Sequence, residues 1–171
     1  MSYLRRYGRI SVYDRKAAVA YAHRWALGRN PQYYDFEENG GDCTNFASQV
    51  IHAGSKIMNY TPVFGWYYID SYRRTPSWTG VEYLYRFMTN NSGTGPYAVE
   101  TDVRDIMPGD IVQISFVSDQ FTHTPVVVSV GTPVAVDNIL IAAHSYDRDN
   151  YPLAEYDWKA LRFLHILGSR V

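Results

Sequence analysis

One cysteine, Cys43, stands in a chain of 171 residues. An internal disulfide is therefore excluded, and no oxidising compartment is implied. Long apolar runs are missing as well. No stretch reaches the roughly 18 apolar residues needed to cross a bilayer, and "MSYLRRYGRISVYDRKAAVAYAHRW" lacks the apolar segment of a secretory signal. The cytoplasm is thus the default expectation, unless the chain is a piece of an exported protein. An excess of charge is absent too. The formal net charge is −1, which gives no electrostatic reason for a nucleic-acid or anionic-membrane partner. Internal repeats and low-complexity segments do not stand out, and no pattern specifies an oligomeric state.

Tyrosine is what the chain has in plenty, 16 of them beside 4 Trp. With 46% hydrophobic residues the sequence can bury an ordinary core, and residues 1–171 read as a single domain. The aromatic stretch from Pro62 to Trp78, with Phe64, Trp66, Tyr67 and Tyr68, reads either as the wall of a cleft for a polar ligand or as a loop packed on the sheet.

Helices come first. "DRKAAVAYAHRWALG" places Ala18, Tyr21, Ala22 and Trp25 on one stripe, with Asp14 as N-cap and Gly28 just past the end. A turn-rich loop through Asn30-Pro31 and Asn39-Gly40-Gly41 follows. A second helix starts at Cys43, with Asp42 as its N-cap and Gly54 near its end. A third covers "TGVEYLYRFMTNN", where Thr79 and Glu82 have capping-box spacing. Strand candidates follow: "DIVQISF" after a Pro108-Gly109 turn, then "HTPVVVSVG", "DNILIAAHS" and, less distinctly, "WKALRFLHIL". Helices before strands predict an α+β fold with an antiparallel sheet.

The lone cysteine lies in "GGDCTNFASQ", at the predicted start of a helix, where the helix dipole favours a thiolate. The bland alternative is a buried structural cysteine. Cysteine catalysis also needs a base and a group that holds that base. Of five histidines, His52 lies nine residues along the same helix, about 13 Å from the thiol. His23 lies beside the apolar stripe of the first helix, as a surface or half-buried residue, and His165 near the C-terminus has no neighbouring polar cluster. His123 opens one strand candidate and His144 closes the next. If those strands pair as an antiparallel hairpin, the two imidazoles are neighbours. Pro125, two residues after His123, requires an edge or a bulge there.

Taken together, "GGDCTNFASQVIHAG", "MPGDIVQIS", "HTPVVVSV" and "LIAAHSYD" resemble the amidase domain family related to NlpC-type cell-wall peptidases. The resemblance runs from about Tyr13 to His165. It implies a papain-like core with Cys43 as nucleophile, His123 as general base and then acid, and His144 orienting the His123 ring; Asp147 is the rival for that third place. It further implies cleavage of amide bonds through a thioester, in many relatives within peptidoglycan stem peptides, with neither metal nor cofactor. The Cys43 N–H would bind the oxyanion, with Asn39 or Tyr34 as a second donor. His144, Asp147 and Asp149 are close in sequence, but their spacing matches no usual zinc pattern. Two other readings stand beside the hydrolase: a silent peptide- or glycan-binding module, and an acyltransferase or deamidase using the same pair.

Overall fold

The computed structural model describes residues 8–171. It is α+β, a curled antiparallel sheet with a few helices. Strand β1 (Ile10–Ser11) precedes helices α1 (Arg15–Trp25), α2 (Cys43–Ser55), α3 (Pro76–Thr79) and α4 (Val81–Asn90). Strands β2 (Gly95–Thr101), β3 (Ile111–Val117), β4 (Gln120–His123), β5 (Val126–Ser129), β6 (Leu140–Ala143), β7 (Arg148–Pro152) and β8 (Ala160–Arg170) complete the sheet. Its path is β1-β8-β3-β5-β6-β7, with β2 also on β8 and β4 on β3. The ambiguous C-terminal segment is thus a strand. Its 11 residues pair with three others and hold the sheet's middle.

Both faces of this sheet are covered, which accounts for the nearly continuous apolar strand sequences. Ile111, Val126, Val128, Leu164 and Ile166 point to the side packed by α1, α2 and α4. Val112, Ile114, Val127, Ile141 and Phe163 point to the other side, beneath Ile106, Ile139 and Leu153. Alternate residues of one strand therefore enter different cores.

Helix ends differ from expectation in three places. Asp14 caps α1 as expected, accepting from Ala17 N at 2.9 Å. Asp42 does not cap α2; no side-chain cap bond exists there, because its carboxylate is turned toward other donors. Helix α2 runs past Gly54 and stops at Lys56, whose φ of 63° breaks the helix. Thr79 belongs to α3, and Gly80 rather than Thr79 precedes α4.

Candidate active site

Cys43 is the first residue of α2, the most deeply buried helix, with nine consecutive residues from Cys43 to Ile51 buried. Two glycines make that entry possible. Gly40 and Gly41 have φ near +99° and +97°, a region other residues rarely enter. They let the loop double back so that Asn39 N and Gly41 N both donate to the Phe36 carbonyl. The thiol then sits against the sheet. Its Sγ is 3.7 Å from Thr44 Oγ1 and 4.0 Å from the Thr122 carbonyl. Thr122 is the residue before His123 on β4.

His123 is buried, with its ring beside Phe116 and Tyr156. Nε2 lies 3.3 Å from Tyr156 Oη. Burial pulls the His123 pKa down from 6.5 to about 4, so the imidazole is neutral at neutral pH. Burial pushes the Tyr156 phenol up to about 12 against the opposing pull of Arg148, with smaller upward contributions from Tyr151 and Cys43, so it keeps its proton. With Nε2 facing Tyr156, Nδ1 is the remaining nitrogen. Tyr156 lies 33 residues downstream in a connecting segment, and no spacing rule pointed to it.

Burial also raises the Cys43 thiol. Backbone and hydroxyl bonds from Thr124 and Thr44 pull it down, and the neighbouring Asp42 charge raises it further. Burial thus works against the thiolate that a helix start favours.

The expected contact between His144 and His123 is not formed. Strands β5 and β6 do pair as a hairpin, Val126 opposite Ala142. His123, however, lies on β4, which pairs with β3, Ile114 opposite His123. Thr124 and Pro125 separate β4 from β5, and this break sends the two rings apart. His144 stacks on Phe46 at 4.1 Å. Its Nδ1 meets Asp42 Oδ2 at 2.5 Å and its Nε2 meets the Trp25 carbonyl at 2.8 Å. Both nitrogens face acceptors, so His144 ties α1 and β6 to the turn before Cys43.

The other candidates are also committed elsewhere. Asp147 holds Arg29 through two bonds of 2.9 and 3.1 Å, and Asp149 meets His23 at 2.8 Å. His144, Asp147 and Asp149 thus take three separate partners. Among the described residues, no three His, Cys, Asp or Glu side chains converge on a metal-binding point. Asn39 donates to Tyr34 Oη, so the two proposed oxyanion donors bond each other. His165 does have polar company, Asp110 at 2.7 Å and Arg15.

The cleft-wall expectation for Trp66, Tyr67 and Tyr68 is corrected as well. Trp66 is fully buried, donates to Ser48 Oγ and packs on Trp78. Tyr68 is buried and accepts from Tyr34 N, and Tyr67 is half-buried beside Tyr60. Trp66 and Tyr68 thus fill interior space, which is nearer to the packed-loop reading of this stretch. A cavity of about 530 Å³ lies instead among Asn59, Phe64, Tyr83, Arg86 and Asn90, and neither Cys43 nor His123 lines it.

The His123 burial carries a stability consequence. Above pH 6.5 the ring is neutral in both folded and unfolded chains. As pH falls from 6.5 toward 4, the unfolded chain takes up the proton and the folded one does not. The fold should lose about 3 kcal/mol over that window from this residue, at 1.36 kcal/mol per pH unit. Urea unfolding of the parent and His123→Gln at pH 7 and pH 4 checks it: equal losses in both chains would refute the assignment.

Comparison with known proteins places these residues in a family. A model described as "Putative amidase domain" matches residues 12–166. A Bacillus subtilis (strain 168) protein, named "Uncharacterized protein YhbB", is 39% identical over 127 residues. That stretch is 72% of this chain but 39% of the relative, so the chain spans well under half of that protein's length. No solved structure matches. The match covers most of the chain, and the chain belongs to the family described as "Putative amidase domain".

Proposed function

We propose that the protein is a cysteine-dependent amidase with a papain-like, NlpC-type active site. The observation that carries this reading is the position of Cys43: first residue of α2, with Sγ against the backbone of the strand that bears His123. The thiol bonds neither imidazole in its resting rotamer. A turn about its Cα–Cβ bond toward the His123 ring is the movement the mechanism asks for, and such bonds commonly tighten only when substrate is bound.

The reaction then follows. His123 takes the Cys43 proton as sulfur attacks the amide carbonyl, and Nε2–H donates to Tyr156 Oη throughout. The C–N bond breaks, His123 returns that proton to the leaving amine, and a thioester remains on Cys43. Water attacks the thioester with His123 as base, releasing a carboxylic acid and restoring the thiol. The first N–H groups of α2, which have no intrahelical partner, face the developing oxyanion. No metal or cofactor enters any step. The NlpC resemblance points to peptide amides of peptidoglycan stems as the substrate class.

The test is mass spectrometry on the chain mixed with stem-peptide fragments and simple peptide amides, quenched in acid. The expected result is released amine together with an acyl adduct on Cys43. No turnover and no adduct, with a thiol inert until unfolding, would overturn the reading and favour a binding module.

A further inference from the structure

The helix-facing side of β3 carries a fully buried amide, Gln113. Its neighbours fix which end is which. Arg162 Nε donates to Gln113 Oε1 at 2.7 Å, and a guanidinium cannot accept. The Val81 carbonyl, which can only accept, receives Gln113 Nε2 at 2.8 Å. Both contacts give the same amide orientation. Nε2 is then the donor to Thr124 Oγ1 at 3.4 Å.

From there the directions propagate. Having accepted from Gln113, the Thr124 hydroxyl keeps its own hydrogen to give, and Thr44 Oγ1 lies within reach of it, 3.1 Å away. Thr44 in turn has a hydrogen to give, and Cys43 Sγ lies 3.7 Å off. The resting S–H points the other way, to the Thr122 carbonyl. All four relay residues are buried. The start of the chain is clamped: Arg162 lies between the rings of Tyr85 and Phe121, at 3.7 and 4.1 Å, and also bonds Glu82 at 2.8 Å.

We infer that Arg162, Gln113, Thr124 and Thr44 form a one-way hydrogen-bond relay that delivers a hydroxyl donor to the Cys43 sulfur. They are positioning residues. When Cys43 ionises, the donor is already oriented toward the charge, so the site pays no reorganisation penalty. Around the sulfur, Asp42 opposes ionisation, while the neutral His123 and Tyr156 lie across from it on β4 and before β8. Backbone groups of Thr124 and Thr44 favour the charged form, and the Thr44 hydroxyl is the side-chain donor that joins them. The functional meaning of the relay rests on the amidase reading, but its effect on sulfur is measurable without substrate.

The experiment is the pH profile of iodoacetamide alkylation, which reports Cys43 alone because the chain has one thiol. Thr44→Val should raise the alkylation midpoint by about one pH unit, and Thr44→Ser should keep it near the parent value. Gln113→Glu should raise it as well: the carboxylate must accept from both Arg162 and Thr124, which turns the Thr124 and Thr44 hydroxyls away from sulfur. The double variant separates this from plain charge repulsion. A relay predicts that Gln113→Glu adds little once Thr44→Val has removed the donor, whereas repulsion predicts summed shifts. An unchanged midpoint in Thr44→Val, or summed shifts in the double variant, overturns the relay. If Gln113→Glu does not fold, the Val and Ser variants at position 44 decide alone. A relay upheld in a chain that hydrolyses no amide would sink only the amidase reading.

Discussion

Cys43→Ala should abolish amide hydrolysis, a loss on the order of 10⁵-fold or more, without unfolding the chain. The side chain is small, and its sulfur contacts are long, 3.7 and 4.0 Å, so alanine leaves little void and strands no strong donor. His123→Ala should lose nearly as much, because a thiol whose pKa burial raises needs a base at the moment of attack. The double variant should be no worse than either single one, since the two groups act in one proton transfer. Tyr156→Phe should cost far less, on the order of 10-fold, because it removes the partner of Nε2 and leaves Nδ1 in place. Steady-state rates on a peptide amide that the parent cleaves, with circular dichroism as the folding control, check the set. A Cys43→Ala variant with parental activity would end the nucleophile assignment. Retained activity in His123→Ala would move the base elsewhere.

Much of the scaffold behind these residues was legible from the chain. The stripe of Ala18 and Ala22 is the buried face of α1. The Pro108-Gly109 turn does lead into β3, with Gly109 at a φ of +91°. "VVVS" and "LIAA" do pair as neighbouring antiparallel strands. These features are local, and local periodicity and turn chemistry report them directly. Strand β2 was missed because Gly95-Pro96 follows Asn90, Asn91 and Gly93 and looks like more loop. Its strand state comes from pairing with β8, a partner some 70 residues away.

The site shows the same division. Cys43 at a helix start was readable, because glycines and a helical stripe announce it. The partner of His123 was not. Spacing put two histidines at facing strand ends, but the run breaks at Thr124-Pro125 into two strands that both pair with β3, and only the second of them also pairs with β6. Tyr156 takes the place next to His123 through chain returning from β7, and no local pattern encodes that return. Gln113 was hidden for a related reason. A polar residue amid "DIVQISF" looks like a solvent-facing strand position, yet helices cover that face and the amide is spent on Arg162, Val81 and Thr124.

Asp42 is where stability and thiol chemistry meet, and its two simplest variants should behave oppositely. The carboxylate is fully buried. Oδ1 accepts from Phe36 N at 2.9 Å and from Asn45 Nδ2 at 2.8 Å, and Oδ2 accepts from His144 Nδ1. Asp42→Ala strands all three donors in a buried site. The expected cost is about 3–5 kcal/mol, read as a lower urea midpoint. Asp42→Asn keeps the volume and an oxygen for Phe36 N and Asn45. Its amide nitrogen then faces His144 Nδ1, which can accept once it carries no hydrogen, while Nε2–H stays on the Trp25 carbonyl. About 1 kcal/mol should be lost. At the same time the negative charge that opposes Cys43 ionisation disappears, so iodoacetamide should react with Asp42→Asn at lower pH than with the parent. An Asp42→Ala chain as stable as the parent would show that Phe36 N, Asn45 and His144 do not depend on this carboxylate. An alkylation midpoint unmoved in Asp42→Asn would show that the Asp42 charge does not reach the sulfur, leaving the carboxylate a purely structural tie between α1, β6 and the turn that presents Cys43.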